Sequence, residues 1–136
     1  MNYFLAKTDP DTYSISHLER EKNATWDGVS NPQALKAIRA MRPGDRIFIY
    51  HSGGGAAVVG LAEVTSHPRP DPKNARLTVV DMAFRLRFEN PVTLSEIKAS
   101  GLFADWALVR QGRLSTMEAP ASFVRWIGKK VGGTNI

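Results

Sequence analysis

Three short segments carry side chains that could bind a planar or anionic ligand. The run Trp26-Asp27-Gly28-Val29-Ser30-Asn31 places a tryptophan in a predicted polar loop just before a helix start, where a stacking face and backbone N–H donors come together. Tyr50-His51-Ser52 ends a predicted strand before three glycines, and its histidine could donate, accept or act as a base. Arg110-Gln111-Gly112-Arg113 combines side chains that suit phosphates and base edges.

Each of these segments also has a purely structural interpretation. Trp26 could pack on the core while Asn31 only caps the helix, because most tryptophans in folded proteins are packed. His51 could be a hydrogen-bonded surface histidine beside a flexible hairpin. The arginines could belong to a solvated turn, and Trp106, just upstream of them, could be a second aromatic wall or only core.

Patterns typical of metal sites and of nucleophilic enzymes are weak in this chain. His17, His51 and His67 lack metal-ligand spacing, and no nucleophile elbow is present. The three glycines after the second segment match neither nucleotide-binding loop. Asp9 and Asp11 lie in a proline turn and are expected to be turn formers. We therefore expect no cofactor, no metal and no assigned catalytic residue.

Composition sets the general class of protein. The chain has 136 residues and no cysteine, with 43% hydrophobic and 23% charged residues, which is typical of a globular domain and excludes disulfides and cysteine nucleophiles. We expect residues 1–136 to form a single domain with no membrane segment and a cytoplasmic location. The net charge of +5 favours anionic partners, nucleic acid first, although surplus surface lysine and arginine would explain it equally well.

The elements that must position these segments can be predicted from local signals. Asn31-Pro32 predicts a helix start, since Asn caps and Pro fits the first helical position. Thr93-Leu94-Ser95-Glu96 is a capping box. Alternation over residues 77–88 predicts a long half-buried strand.

Further strands are expected at 3–6, 46–50, 57–64 and 114–117, short helices at 14–19 and after Pro120, and a proline-rich loop at 67–74. Strands in succession favour a small, mostly antiparallel, barrel-like α+β sheet with peripheral helices.

Taken together, several ordered motifs resemble the EVE domain family of the PUA-like superfamily, nearly end to end. No single motif would suffice, but their order along one small chain is specific. The segments that carry the resemblance are Tyr3–Asp11, Trp26-Asp27-Gly28-Val29 with Asn31 and Gln33-Ala34, Gly44-Asp45, Tyr50-His51-Ser52, Val59–Val64 and Ala107–Ser115.

The resemblance implies a PUA-like pseudo-barrel of five to six strands and a non-catalytic module that reads a modified base of DNA or RNA in an aromatic pocket. Trp26 would be the stacking wall, and the pocket would be completed by Lys7, Thr8, Val29, Asn31, Tyr50, His51, Ser52, Arg113 and Ser115. Trp106 is the possible second wall, and Lys36, Arg39 and Arg110 would contact phosphates.

Two other function classes remain open at this point. A small PUA-like hydrolase or nuclease could use Lys7, Thr8 and His51 as base and nucleophile, and turnover of modified nucleosides or short RNA would reveal it. A protein-interaction adaptor would bind no nucleic acid, so its binding would lack the steep salt dependence of phosphate contacts.

Overall fold

A computed structural model describes residues 1–132 and residue 136. Within this part of the chain, seven strands and five helices follow one another. The strands are β1 (Tyr3–Thr8), β2 (Asn23–Trp26), β3 (Arg46–His51), β4 (Ala57–Val64), β5 (Arg69–Asp71), β6 (Asn74–Thr93) and β7 (Thr116–Glu118). The helices are α1 (Ile15–Glu21), α2 (Pro32–Ala40), α3 (Leu94–Ala99), α4 (Ala107–Arg110) and α5 (Ala121–Lys130).

The strands form one curled sheet in the order β2-β6-β4-β3-β1-β7, and β5 pairs with β6 beside this path. All neighbours are antiparallel except β1 and β3. The two edge strands, β2 and β7, meet through side chains: Trp26 Nε1 donates a hydrogen bond of 3.0 Å to Oγ1 of the fully buried Thr116. This side-chain contact links the two edges of the curled, half-barrel sheet. The α+β, mostly antiparallel, barrel-like fold is therefore confirmed.

The long strand β6 curves around the barrel and pairs with three other strands. The predicted alternation is confirmed, since Val80, Met82 and Phe88 are buried while Arg85 and Arg87 are exposed. The register with β4 shifts at two points, which lets β6 bend. Between these shifts lies Gly60, where an added Cβ would stand 2.6 Å from the Leu86 carbonyl oxygen and 2.8 Å from Ile15 Cδ1. A glycine is required there because strand and helix approach so closely.

The predicted helix starts are confirmed by their caps. The Asn31 side chain accepts from the backbone N–H groups of Gln33 and Ala34, and the Thr93–Glu96 capping box opens α3. Helix α5 covers the barrel with Phe123, whose ring contacts Phe48 edge-on at 5.4 Å. No helix within the described residues is long and apolar enough to cross a membrane.

Two local predictions are wrong, and one helical turn was not predicted. Trp26 lies in strand β2 rather than in a loop, because the mostly polar residues 23–26 form an edge strand that exposes every second side chain. The proline-rich loop contains strand β5, whose one proline, Pro70, is tolerated because the strand lies beside the main sheet. Residues 107–110 form a helical turn that the motif-based interpretation left unassigned.

The closing hydrogen bond generates a stability prediction. Thr116→Val keeps the shape of the buried side chain but removes the acceptor of Trp26 Nε1, so the unfolding free energy should fall by about 1–3 kcal/mol. Chemical denaturation of both proteins measures this difference. Thr65→Val, the same change at an exposed residue, is the control, and an equal effect of the two substitutions would contradict the role of the bond.

Candidate functional site

A cleft of about 400 Å³ opens at one end of the barrel beside Trp26. The end of β1, the turn that precedes α1, strand β2 and one residue of β6 enclose it. Two aromatic rings, Trp26 and Tyr13, contribute to its walls, and the buried Met82 contributes an apolar surface. We call this the Trp26 cleft, and it is lined by Thr8, Asp9, Thr12, Tyr13, Ala24, Thr25, Trp26, Asp27 and Met82.

One polar atom of this cleft has no partner. Thr8 is 8% exposed, and its Oγ1 makes no hydrogen bond to any described residue. A buried hydroxyl without a partner costs about 1–3 kcal/mol. A ligand that hydrogen-bonds this hydroxyl would recover that cost, so the lining of the cleft favours a polar guest over a purely apolar one.

Tyr13 is held in place by neighbours on helix α1. Its hydroxyl donates a 2.8 Å hydrogen bond to Glu21 Oε1, and its ring stacks on His17 at 5.5 Å between ring centres. Burial and the Glu21 carboxylate raise the pKa of Tyr13 to about 12, so the phenol stays protonated at neutral pH. The motif-based interpretation missed Tyr13, although a tyrosine directly before a capped helix is a fixed aromatic that could have drawn attention.

Two carboxylates lie at the rim of the Trp26 cleft. Asp9 folds the turn as predicted: its carbonyl oxygen accepts from the N–H groups of Thr12 and Tyr13, and its Oδ1 accepts from Asp11 N at 2.9 Å. Asp27 follows Trp26 at the other side and is exposed. The rim therefore accepts hydrogen bonds, which suits a ligand edge that donates them.

Lys7 lies on the opposite face of β1 from Thr8, because successive residues of a strand point to opposite sides. Its Nζ donates to the Gly112 carbonyl oxygen at 3.0 Å and lies 5.5 Å from the centre of the Tyr50 ring. Burial lowers the pKa of Lys7. Its backbone N–H donates to the carbonyl of Ser115. Lys7, Tyr50 and Ser115 thus form a cluster of their own, outside the lining of the Trp26 cleft.

His51 is paired with Thr8 in the register of β1 and β3, but its ring is already engaged. The backbone N–H of Ile15 donates to His51 Nε2 at 3.0 Å, so the histidine caps the start of α1 and carries its proton on Nδ1. Burial, and secondarily the positive charge of Arg87, lower the pKa of His51. Ser52 Oγ donates to the Thr8 carbonyl oxygen at 3.1 Å. His51 thus joins the end of β3 to the start of α1, and Ser52 joins the end of β3 to the end of β1.

Asn31, Val29 and Arg113 lie elsewhere. Asn31 is exposed and engaged in capping, Val29 is buried, and the exposed Arg113 makes no side-chain hydrogen bond or ion pair with any described residue. Lys7, Asn31, His51 and Arg113, which the resemblance places beside Trp26, are not among the residues that line the Trp26 cleft. Of the predicted site residues, only Trp26 and Thr8 line it. Whether the others touch a ligand stays a prediction.

Trp106 is half-buried and packs against aromatic side chains of the core. Its Nε1 donates to the Glu118 carbonyl oxygen at 2.9 Å, and its ring centre lies 4.5 Å from that of Phe123. Its other ring neighbour is Phe103. It is absent from the lining of the Trp26 cleft, so it supplies no second wall there.

The predicted phosphate contacts lie in different surroundings. Arg39 bonds Thr78 Oγ1 through Nε at 3.0 Å and lines a cleft beside α2. Lys36 lies in another groove, beside Glu118 of β7. Arg110 is exposed and forms an ion pair of 3.3 Å with Asp105. The contact of these side chains with phosphates is not tested by this placement.

The geometry also bears on the catalytic alternative. Lys7 faces away from Thr8, and the Nε2 of His51 is occupied by a backbone N–H, so these three groups do not converge on one reacting atom. Among the described residues, no group of three or more His, Asp or Glu side chains is placed to hold a metal ion.

The fold and the cleft define a class: a small PUA-like barrel whose open end is lined by aromatic rings. The family model of the EVE domain matches residues 2–130, and the chain belongs to this family.

Several known proteins are similar to this chain. A solved structure from Agrobacterium tumefaciens, 31% identical in sequence, superposes with a TM-score of 0.92 and covers 100% of this chain and 97% of its own. Thymocyte nuclear protein 1 of Mus musculus is 30% identical, over 71% of this chain and 55% of that protein. The chain thus spans about half the length of the curated relatives that it matches.

A second similar structure is that of the human THYN1 protein in complex with DNA that contains 5-methylcytosine. It is 21% identical, with a TM-score of 0.87 over 96% of this chain and 97% of that chain. At this identity the similarity establishes the shared fold.

The cap that His51 provides predicts a pH dependence of stability. The pKa of His51 is lower in the folded state than in the unfolded state. The contribution of His51 to the free energy of unfolding is therefore complete above the usual histidine pKa of about 6.5 and is lost as the pH falls below that value. Thermal melting between pH 7.5 and pH 5 should show a smaller loss of Tm in His51→Gln than in the wild type.

His67→Gln is the matched control, because His67 is exposed, and it should keep the wild-type pH dependence. If His51→Gln keeps it as well, the Ile15 N–H is not coupled to the protonation of His51.

Proposed function

We propose that this chain binds nucleic acid and accepts one unpaired or flipped modified base in the Trp26 cleft. The observation that carries the proposal is the cleft itself: a half-buried tryptophan and a fixed tyrosine line a space of about 400 Å³ that contains the unpartnered Thr8 hydroxyl. A planar heterocycle satisfies both features, since it stacks on aromatic rings and hydrogen-bonds through its edge.

The carboxylates at the rim favour one kind of base. Asp9 and Asp27 can only accept hydrogen bonds when ionised, so they suit an edge with an exocyclic amino group, such as that of cytosine. A methyl group on the ring would be placed against apolar surface such as that of Met82. The complex of the human THYN1 protein with DNA that contains 5-methylcytosine supports this class of ligand.

The remaining energetics are consistent with a non-catalytic reader. Extrusion of a base from a duplex costs a few kcal/mol, which stacking on the cleft walls would offset. The net charge of +5 favours approach of the phosphate backbone. We propose DNA as the first ligand to test, with RNA of the same sequence as the second.

The test is Trp26→Ala with an oligonucleotide that carries one 5-methylcytosine. Loss of one aromatic stacking surface should weaken binding by about 1–3 kcal/mol, while affinity for the unmodified oligonucleotide changes less. Because Trp26 also closes the barrel, its truncation should destabilise the fold more than loss of an exposed residue would. Trp26→Phe, which keeps a ring but loses the N–H, should retain part of the affinity.

Two controls separate stacking from folding. Thr116→Val removes the hydrogen bond of Trp26 but keeps the indole, so it should lose stability and retain affinity. Tyr13→Leu removes the second ring, and Tyr13→Phe keeps that ring while losing only the bond to Glu21. Equal affinity for modified DNA across Trp26→Ala, Tyr13→Leu and the wild type would reject the Trp26 cleft as the base site.

A further inference from the structure

A second cleft, rich in arginine, lies beside helix α2 and has no role in the proposal above. Its volume is about 460 Å³. Arg39 comes from α2, Arg42 from the turn that follows α2, and Arg69 from β5. We call it the arginine cleft, and it is lined by Arg39, Arg42, His67, Pro68, Arg69, Pro70, Ala75, Leu77 and Thr78.

Two of the three guanidinium groups of this cleft, those of Arg39 and Arg42, are held by neutral acceptors. Arg39 donates through Nε to Thr78 Oγ1 at 3.0 Å and through Nη2 to the Arg76 carbonyl oxygen at 3.5 Å. Arg42 donates through Nη1 to the carbonyl oxygens of Arg39 and Met41, at 2.8 and 2.6 Å. Each guanidinium keeps further N–H groups for which no described residue is an acceptor.

The charge of the cleft is only partly compensated. Arg69 is paired with Asp81 at 2.9 Å, whereas neither Arg39 nor Arg42 forms an ion pair with a described residue. The buried Asp45 lies close to Arg42, but its carboxylate accepts from the backbone N–H groups of Asn2 and Arg42. Two pre-positioned guanidinium groups with full charge are an anion site, and their planar forks match phosphate oxygens.

We infer that the arginine cleft binds the phosphodiester backbone of a nucleic acid, at a distance from the base held beside Trp26. The inference rests on the nucleic-acid binding of the proposed function, but not on the reading of a base. The apolar part of the cleft, with Leu77, Pro68 and Pro70, fits the sugar faces that lie between phosphates. An inorganic phosphate ion would leave this apolar surface uncovered.

Strand β6 connects the two clefts and gives their spacing. Thr78 lines the arginine cleft and Met82 lines the Trp26 cleft, and the pairing of β6 with β5 and β2 is regular between them. Four residues of a strand span about 13 Å. This equals the rise of about four base pairs along the axis of a duplex, so one short nucleic-acid segment can reach both clefts.

The experiment compares two double variants that each remove two positive charges. Arg39→Gln/Arg42→Gln keeps amide donors for the acceptors of both arginines but removes the charge from the cleft. Arg125→Gln/Lys129→Gln, on the exposed face of α5, is the matched control. Binding of an unmodified DNA duplex is titrated at a series of salt concentrations.

The cleft variant should lower the slope of log K against log salt by about 2, because about one counterion is released for each phosphate contact. The control should keep the wild-type slope. If both variants lose the same amount of slope, the effect comes from net charge alone and the inference is overturned. An unchanged slope in the cleft variant would also overturn it.

Two further arms separate the sources of phosphate and the two proposals. The Tm is measured in sodium phosphate and in sodium chloride at equal ionic strength, for the wild type and for Arg39→Gln/Arg42→Gln. If phosphate raises the Tm of the wild type but not that of the variant, and the variant keeps the wild-type salt slope of duplex binding, the cleft binds a free anion and the inference is overturned. The same slopes are measured in the Trp26→Ala background. A slope loss that persists there supports the arginine cleft, even if Trp26→Ala has no effect on modified DNA and the base-reading proposal fails.

Discussion

The hydrogen bond from Trp26 to Thr116 is the contact on which the arrangement of this protein depends. The strand order leaves β2 and β7 as the two edges of a curled sheet, and no backbone ladder joins them. One indole N–H, donating across 3.0 Å to a buried hydroxyl, holds the edges together. The same indole is a wall of the Trp26 cleft. The ligand cleft and the closure of the barrel are therefore one feature, and a ligand that stacks on Trp26 also stabilises the closed sheet.

Successive residues of a strand point to opposite faces, so chemically different neighbours in this chain lie in separate parts of the molecule. Lys7 and Thr8 are adjacent in the chain, yet the Lys7 amine packs over the Tyr50 ring while the Thr8 hydroxyl lies in the Trp26 cleft. The Trp26 cleft is bordered by the carboxylates of Asp9 and Asp27, while Arg39 and Arg42 lie together in the arginine cleft. This distribution fits a ligand whose edge donates hydrogen bonds and whose backbone is anionic, since each part of such a ligand meets its complement.

Local signals were sufficient to predict much of this fold. Caps such as Asn31 depend on neighbouring residues alone, and the alternation of β6 directly reports a half-buried strand. The edge strand β2 was not predicted because residues 23–26 are mostly polar, which is also typical of a loop. The walls of the Trp26 cleft were predicted poorly for a different reason. The side to which Lys7 points, and the engagement of the His51 ring by Ile15, depend on strand register and on helix placement that no local pattern contains.

The position of β1 in the sheet has a consequence for how the molecule folds. One edge of β1 pairs with β3, which is near in the chain, but the other edge pairs with β7 close to the opposite end of the described chain. The indole and the hydroxyl that close the barrel are 90 residues apart. Such distant pairings are slow to form because a long loop must close first. During synthesis, β1 therefore keeps one edge unpaired until β7 has left the ribosome, and such an unpaired edge is a template for pairing with other chains.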